Sequence, residues 1–132
     1  MPRIALEGKI NGCQDAECVD WRKRVKWELG HLYSFHDPMD LDCRGREKEM
    51  EDELVLFDTG GIASSDILLV LAETPSWGTA MAIQMGWAQH KYIVSICPDV
   101  CVSPWLNNRS NIIVSTLDDA IKHLKERGLK DV

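Results

Sequence analysis

Hydrophobic residues follow two alternating patterns along the chain: short unbroken runs, and longer segments with apolar residues at helical spacing. The unbroken runs are bounded by polar or glycine-containing segments, as is typical of strands covered on both faces. They predict five strands, at residues 3–6, 32–35, 66–72, 92–96 and 111–114.

Four helices are predicted between and after these strands. Their apolar positions are Cys18, Trp21, Val25 and Leu29 in the first, Met50, Leu54 and Phe57 in the second, Met81, Met85 and Ala88 in the third, and Leu117, Ala120, Ile121 and Leu124 in the fourth. Arg22, Lys23 and Lys26 are predicted to form a basic outer face on the first helix. The second helix is predicted to fray near Gly60 and Gly61, because glycine weakens helices.

This alternation predicts an α/β fold, a doubly wound parallel sheet of five strands with helices on both faces. Residues 1–132 are expected to form a single domain. Ligands of such folds bind beyond the carboxyl ends of the strands, where the strand order reverses. Three polar loops, at residues 7–15, 36–42 and 72–79, are predicted to meet there.

Charge narrows the range of partners. The net charge is -6 and the isoelectric point is about 5.1, which argues against nucleic acid polymers and anionic membranes as partners.

No apolar run approaches the roughly 18 residues needed to span a bilayer. The N-terminus lacks the pattern of a secretory signal, so a cytoplasmic protein is expected.

The cysteines and histidines do not predict a metal site. The five cysteines are Cys13, Cys18, Cys43, Cys97 and Cys101. An odd number at irregular spacing is not typical of a disulfide framework. A zinc site of four thiolates is an alternative, but the spacings are not those of a zinc ribbon or finger. His36, His90 and His123 are predicted to be loop or surface residues, not ligands, and no metal or organic cofactor is expected.

Residues 75–91, PSWGTAMAIQMGWAQHK, have the composition of a loop that binds phosphate and leads into a helix. Gly78 allows backbone amides to approach an anion, and Thr79 can open the helix. A glycine-containing loop alone is as often a plain turn as a phosphate-binding site. Neither a Walker loop nor a GxGxxG motif is present.

The order of these segments resembles the nucleoside 2-deoxyribosyltransferase family, which includes nucleoside 5'-monophosphate N-glycosidases. The resemblance runs through residues 4–124 and is most specific from Ser65 and Asp66 through Ser76, Gly78 and Thr79 to Ala88. It implies a flavodoxin-like fold and subunits that complete one another's sites. It also implies a nucleoside or nucleoside 5'-monophosphate as ligand.

The resemblance places the family's nucleophilic Glu at position 82, which is Ala in this chain. Cleaving an N-glycosidic bond with retention requires a carboxylate that traps the anomeric carbon as an ester, and a methyl group cannot do this. One loss in an otherwise matching motif indicates a substitution that disables catalysis. The alternative is a natural nucleotide-binding sensor, for which Ala82 is native.

The other site residues are also implied by the resemblance. Asp58 matches a second acidic residue that contacts the sugar hydroxyls. Ser76 favours a phosphorylated substrate, because a carboxylate at this position would repel the phosphate. The expected substrate contacts are Gly8, Lys9, Ile10, Asn11, Gly12, Asp37, Asp40, Ser76, Gly78 and Thr79. Asp37 and Asp40 either contact the base or only form a turn.

The same resemblance predicts a homodimer or a higher oligomer. Trp77 is expected at the subunit interface, with stacking on a base as the alternative. Ser103, Trp105, Asn107 and Asn108 are expected near the neighbouring subunit's site. The predicted reaction of the parent protein is N-glycosidase cleavage of a (deoxy)nucleoside 5'-monophosphate. Transfer of deoxyribose between bases is the alternative. The sequence does not specify which base is recognised, nor whether the sugar is ribose or 2'-deoxyribose.

Overall fold

The computed structural model describes residues 1–98 and 103–130, which alternate between strands and helices. The strands are β1 Arg3–Gly8, β2 Ser34–His36, β3 Ile67–Leu71, β4 Tyr92–Ile96 and β5 Ile112–Val114. The helices are α1 Asp15–Cys18, α2 Asp20–Leu29, α3 Glu51–Ala63, α4 Trp77–Ala88, α5 Pro104–Arg109 and α6 Leu117–Lys130, with a 3-10 turn at Pro38–Leu41. None of the helices in these two ranges is long and apolar enough to cross a bilayer.

The five strands form one parallel sheet in the order β2-β1-β3-β4-β5. This is the order of flavodoxin-like folds, so the predicted fold class is confirmed. The order reverses between β1 and β3, where Gly8 pairs with Leu71 at the carboxyl ends of the two strands. The loops after these strands therefore flank the point where ligands bind in this class of fold.

Two hydrophobic clusters cover the two faces of the sheet. One lies under α2 and α6 and includes Val25, Leu29 and Leu124. The other lies under α3 and α4 and includes Ile62 and Ala82. Helices on both faces explain why the central strands are apolar runs without alternation.

The prediction that α3 frays near its two glycines is wrong. The helix continues through Gly60 and Gly61 to Ala63. Gly61 is buried, and a Cβ atom built there would overlap the imidazole ring of His36. Glycine at this position therefore allows α3 to pack closely on β2.

The predicted basic outer face of α2 is wrong at Arg22, which is fully buried. Its guanidinium donates to the carbonyl oxygens of Leu6 and Gly8, each at 3.1 Å, and to that of Cys18. These bonds satisfy the donors that burial would otherwise leave unpaired. The aliphatic stem of the side chain lets a cation reach the end of β1 from a helix that also packs on the core.

The face of α4 that carries Met81, Met85 and Ala88 is largely turned away from the sheet, and of these three residues Met85 alone packs against the core cluster. Met81 and Ala88 are exposed and Met85 is half-buried, whereas Ala82, Ile83 and Gly86 on the adjoining face are buried. Gly86 lies against Leu68 so closely that a Cβ atom there would be 2.6 Å from a methyl carbon of that side chain. Small residues at the contact therefore decided which face of this apolar helix is buried.

Candidate active site

The end of β1 is shaped by glycine. A Cβ atom on Gly8 would lie 3.2 Å from Trp21 Cζ2 and 3.3 Å from Leu71 Cβ, so a larger residue would crowd both neighbours. The chain then turns through Gly12, whose φ of 75° is a conformation that favours glycine. Lys9, Asn11 and Gly12 are exposed and Ile10 is half-buried. This loop therefore presents polar groups to solvent beside the point where the strand order reverses, which we call the switch point.

Asp58 is held at the same end of the sheet by a buried histidine. His36 Nε2 lies 2.9 Å from Asp58 Oδ1, and the His36 side chain is 2% exposed while that of Asp58 is 27% exposed. The prediction that His36 is a loop or surface residue is therefore wrong, because it is the last residue of β2 and faces α3. The contact leaves Asp58 as a carboxylate that is fixed on one side and reachable on the other.

Glu7 is a buried acidic residue that the sequence interpretation missed. It is the penultimate residue of β1 and is 4% exposed. Burial raises the pKa of its carboxyl well above the ordinary value, and the charge of Asp58 raises this pKa further, while Arg22 lowers it. The available signal was an acidic residue in an otherwise apolar strand, one position before the turn.

Glu7, His36 and Asp58 are the cluster within the described residues that has the composition of a metal site. One ligand atom from each lies within 4.8 Å of the others. Two carboxylates and an imidazole are ligands that divalent cations accept. The two carboxyl groups are also close enough for the charge of one to influence the protonation of the other.

Asp37 has a structural role in this arrangement. It is buried, its Oδ1 accepts from Met39 N at 2.9 Å, and its Oδ2 accepts from Lys26 Nζ at 2.6 Å. Its Oδ1 also lies 3.7 Å from Arg22 Nε. These contacts favour the turn role over base contact, whereas Asp40 is exposed.

The start of α4 has the features expected of an anion site. Ser76 caps the helix, with its hydroxyl accepting from Thr79 N at 3.4 Å. Nothing lies within 4 Å of a Cβ atom built on Gly78, so packing within the chain does not explain glycine there. A helix N-terminus concentrates unpaired amide donors and positive potential, which suits a phosphate.

A cleft of about 910 Å³ opens between this helix start and α5. Its lining includes Ser76, Thr79, Ser103 and Trp105, four of the residues predicted from the sequence. It does not include Asp58 or the loop after β1. The structure therefore places the predicted site residues in two neighbouring regions, one on each side of α4.

Arg109 also lines this cleft. Its guanidinium lies 3.6 Å from the ring centroid of Trp87 and 5.7 Å from that of Trp105, and its Nε donates to Gln84 Oε1 at 2.9 Å. Trp87 and Gln84 belong to α4, so these two contacts hold α5 against α4, whereas Trp105 lies in α5 itself. Trp77 and Trp105 stay strongly exposed, and Asn107 and Asn108 are on the exposed side of α5. Cys101, one of the thiols of the zinc alternative, lies outside the described residues.

Ala82 is buried in the cluster under α3 and α4, with 1% of its surface exposed. Ala5 of β1 belongs to the same cluster, and Glu7 lies two residues further along that strand, on the same face of the sheet. Position 82 therefore faces the sheet beneath the switch point.

Comparisons with solved structures identify the fold. A CMP N-glycosidase from Clostridium botulinum matches with a TM-score of 0.61 and 17% identity, over 93% of this chain and 98% of that one. A 2-deoxyribosyltransferase from Bacillus psychrosaccharolyticus matches with a TM-score of 0.72 and 14% identity, over 90% of each chain. A conserved protein from Enterococcus faecalis V583 matches with a TM-score of 0.74 and 16% identity, over 96% of this chain and 99% of that one.

No protein-family model and no curated protein matches the sequence. The resemblance seen in the motifs is thus supported by structure and not by sequence relatives. At these identities the likeness establishes a shared fold. Over nearly its whole length, the chain has the fold of proteins described as a CMP N-glycosidase and a 2-deoxyribosyltransferase.

Proposed function

We propose that the chain binds a nucleoside 5'-monophosphate in a site of the N-glycosidase type. In this site, Ala82 occupies the position of the nucleophile. The observation that carries this proposal is Asp58, a partly exposed carboxylate held by His36 at the carboxyl end of the sheet. A carboxylate fixed in this way suits hydrogen bonding to sugar hydroxyls, because it loses little freedom when the ligand binds.

The helix start supports a phosphorylated ligand. The amides around Gly78 and the hydroxyl of Ser76 stand at the N-terminus of α4, and neither carries a negative charge that would oppose a phosphate dianion. The loop at residues 8–12 is the proposed cover of the base and sugar. Lys9 on this loop adds a positive charge to an otherwise acidic protein.

The proposed reaction of a chain with Glu at position 82 is double displacement. The carboxylate bonds to the anomeric carbon as the carbon–nitrogen bond breaks, the base leaves with the electron pair and takes up a proton, and water then hydrolyses the sugar ester. Ala82 cannot form that ester. The proposal is therefore that this chain binds the nucleotide without the usual turnover, either as a disabled variant or as a sensor.

Transfer of deoxyribose to a second base is the second candidate. It is favoured by the structural match to a 2-deoxyribosyltransferase, which has the higher TM-score of the two enzymes compared. The two candidates differ in what accepts the sugar. Ala82→Glu protein incubated with ribo- and deoxyribonucleoside 5'-monophosphates and with nucleosides, each with and without a free second base, separates them. Base release without an acceptor indicates the glycosidase, and product formation only with an acceptor indicates the transferase.

A further inference from the structure

Glu7 and Asp58 are two neighbouring carboxyl groups, of which Glu7 is buried and Asp58 is partly exposed. Glu7 extends from β1 on the sheet face that α3 covers, and its Oε1 has no hydrogen-bond partner among the described residues. A carboxyl oxygen of Glu7 lies within 4.8 Å of one on Asp58. Two ionised carboxylates at this separation repel each other, and one proton shared between them removes the repulsion.

Among the groups around Glu7, Asp58 is the one that we expect to accept a hydrogen bond from its carboxyl group. His36 on β2 contacts Oδ1 of Asp58, at 2.9 Å, so Oδ2 is available to a second donor. Arg22 on α2 faces Glu7 as a positive charge, but its guanidinium donates to three backbone carbonyls. Asp37, after β2, adds negative charge that Lys26 and Arg22 offset.

We propose that Glu7 is a neutral carboxylic acid that donates a hydrogen bond to Asp58 and so holds the side chain of Asp58 in the orientation that faces the ligand. This inference rests on the proposed function for the identity of that ligand, a nucleoside 5'-monophosphate. Glu7 is a positioning residue, because it acts through Asp58. The carboxyl partner of Asp58 thus comes from β1, whereas α4 carries Ala82 at the position where the resemblance expects an acid.

The electrostatics of the pair agree with this assignment. Burial is the largest influence on Glu7, and the charge of the nearby Asp58 follows; both raise the pKa of Glu7. A raised pKa means that the neutral form persists to higher pH than in an exposed glutamate.

Two substitutions separate a hydrogen-bond donor from a space-filling residue. Glu7→Gln keeps a donor, now an amide, at nearly the same size, and Glu7→Met keeps the volume without a donor. For the nucleoside 5'-monophosphate that the wild-type chain binds best, we expect Glu7→Gln to stay within about threefold of the wild-type affinity. Glu7→Met should weaken binding by about tenfold or more, because Asp58 loses one of its two partners.

The pH dependence of the affinity is the readout that a purely structural role would not change. Wild-type affinity should fall at alkaline pH, because ionised Glu7 no longer donates and repels Asp58. The amide of Glu7→Gln does not titrate, so that variant should keep its affinity over the same range. Equal pH profiles for the two proteins, or full affinity in Glu7→Met, would overturn the proposal.

Infrared spectroscopy tests the proton directly and covers the case in which Glu7→Met does not fold. The wild type at neutral pH should show the carbonyl stretch of a protonated carboxyl, and this band should be absent in Glu7→Gln. A missing band, together with thermal stabilisation by Zn²⁺ or Mn²⁺ that requires Glu7, would mean that the pair holds a cation instead and would overturn the proposal.

The infrared and binding experiments test the role of Glu7 and the proposed function separately. A protonated Glu7 in a protein that binds no nucleoside 5'-monophosphate would contradict the proposed function and leave the shared proton supported. Nucleotide binding that is indifferent to position 7, without the band, would support the proposed function and contradict the role of Glu7.

Discussion

His36 occupies the space that a side chain at Gly61 would need. The contact joins β2 to α3, one helical turn from Asp58, which His36 also contacts through Nε2. The glycine that the sequence suggested as a weak point of the helix is therefore the residue that lets the helix approach the sheet. The position of Asp58 in the site depends on this approach.

Gly61→Ala should destabilise the protein, because its methyl group has to displace the ring of His36. We expect a loss of about 1–3 kcal/mol in the free energy of unfolding, as is usual for overpacking. Gly60→Ala is the matched control, since nothing lies within 4 Å of a Cβ atom there. It should be neutral or stabilising by up to about 1 kcal/mol. Urea denaturation measures both, and equal effects of the two substitutions would contradict the packing assigned to Gly61.

Glu7 should make the stability of the protein depend on pH. The folded-state pKa of Glu7 is raised above its ordinary value of 4.5, so its stabilising contribution is fully present below that value and is lost as the pH rises through the folded pKa. Glu7→Gln removes this titration. Wild-type stability relative to Glu7→Gln should therefore decrease from acidic towards alkaline pH in thermal unfolding experiments. A difference that does not change with pH would contradict a buried, titrating Glu7.

Ala82→Glu should switch on base release from the nucleotide that the chain binds. The expected gain is several orders of magnitude, as for restoring a nucleophile in other enzymes. Position 82 is buried near Glu7, so a third carboxyl group there is crowded by like charge. Ala82→Gln, of similar size but unable to form an ester that water hydrolyses, is the control. If Ala82→Glu folds, binds the nucleotide and releases no base, the result would support the interpretation that the chain is a nucleotide-binding sensor.

The 5'-phosphate should strengthen binding through Ser76 and the start of α4. The wild-type chain should bind a nucleoside 5'-monophosphate more tightly than the matching nucleoside by roughly 2–4 kcal/mol. Ser76→Ala should reduce that difference. Thr116→Ala removes a comparable capping hydroxyl at α6, which does not line the cleft, and should leave the difference unchanged. Calorimetry showing equal affinity for nucleotide and nucleoside would favour the transferase instead.

The exposed tryptophans beside the cleft should lie in a subunit interface. Trp77 is 85% exposed in the single chain, and Trp105 and Met81 are also exposed. Apolar groups of this size beside a cleft usually meet a partner surface. We expect light scattering to give at least twice the chain mass of 15.0 kDa at micromolar concentration. Trp77→Ala should weaken the assembly, and Trp27→Ala, equally exposed on α2, should not; a mass near 15.0 kDa for the wild type would contradict the oligomer.

The sequence by itself determined the fold class of this protein. Apolar runs such as residues 67–71 are long enough for one buried strand and too short for a helix with a packed face, and their alternation with helical segments leaves a parallel sheet as the arrangement that buries both sets. The same reasoning located the loops after β1 and β3, because parallel strands bring their carboxyl ends to one edge. The motif around Ser76 and Gly78 was also recognisable, since a capping residue and a glycine are local features.

Only the tertiary structure decided which charged groups are inside. Glu7 and Arg22 lie on different elements, and each would be expected at the surface when read alone, because burying a single charge is unfavourable. They are buried because the fold brings Asp58, His36 and three backbone carbonyls to them. Likewise, α4 is apolar on several faces, so its pattern could not show that Ala82 faces inward and Met81 outward. That choice depends on close packing between Gly86 and Leu68, which are distant in sequence and meet only in the folded chain.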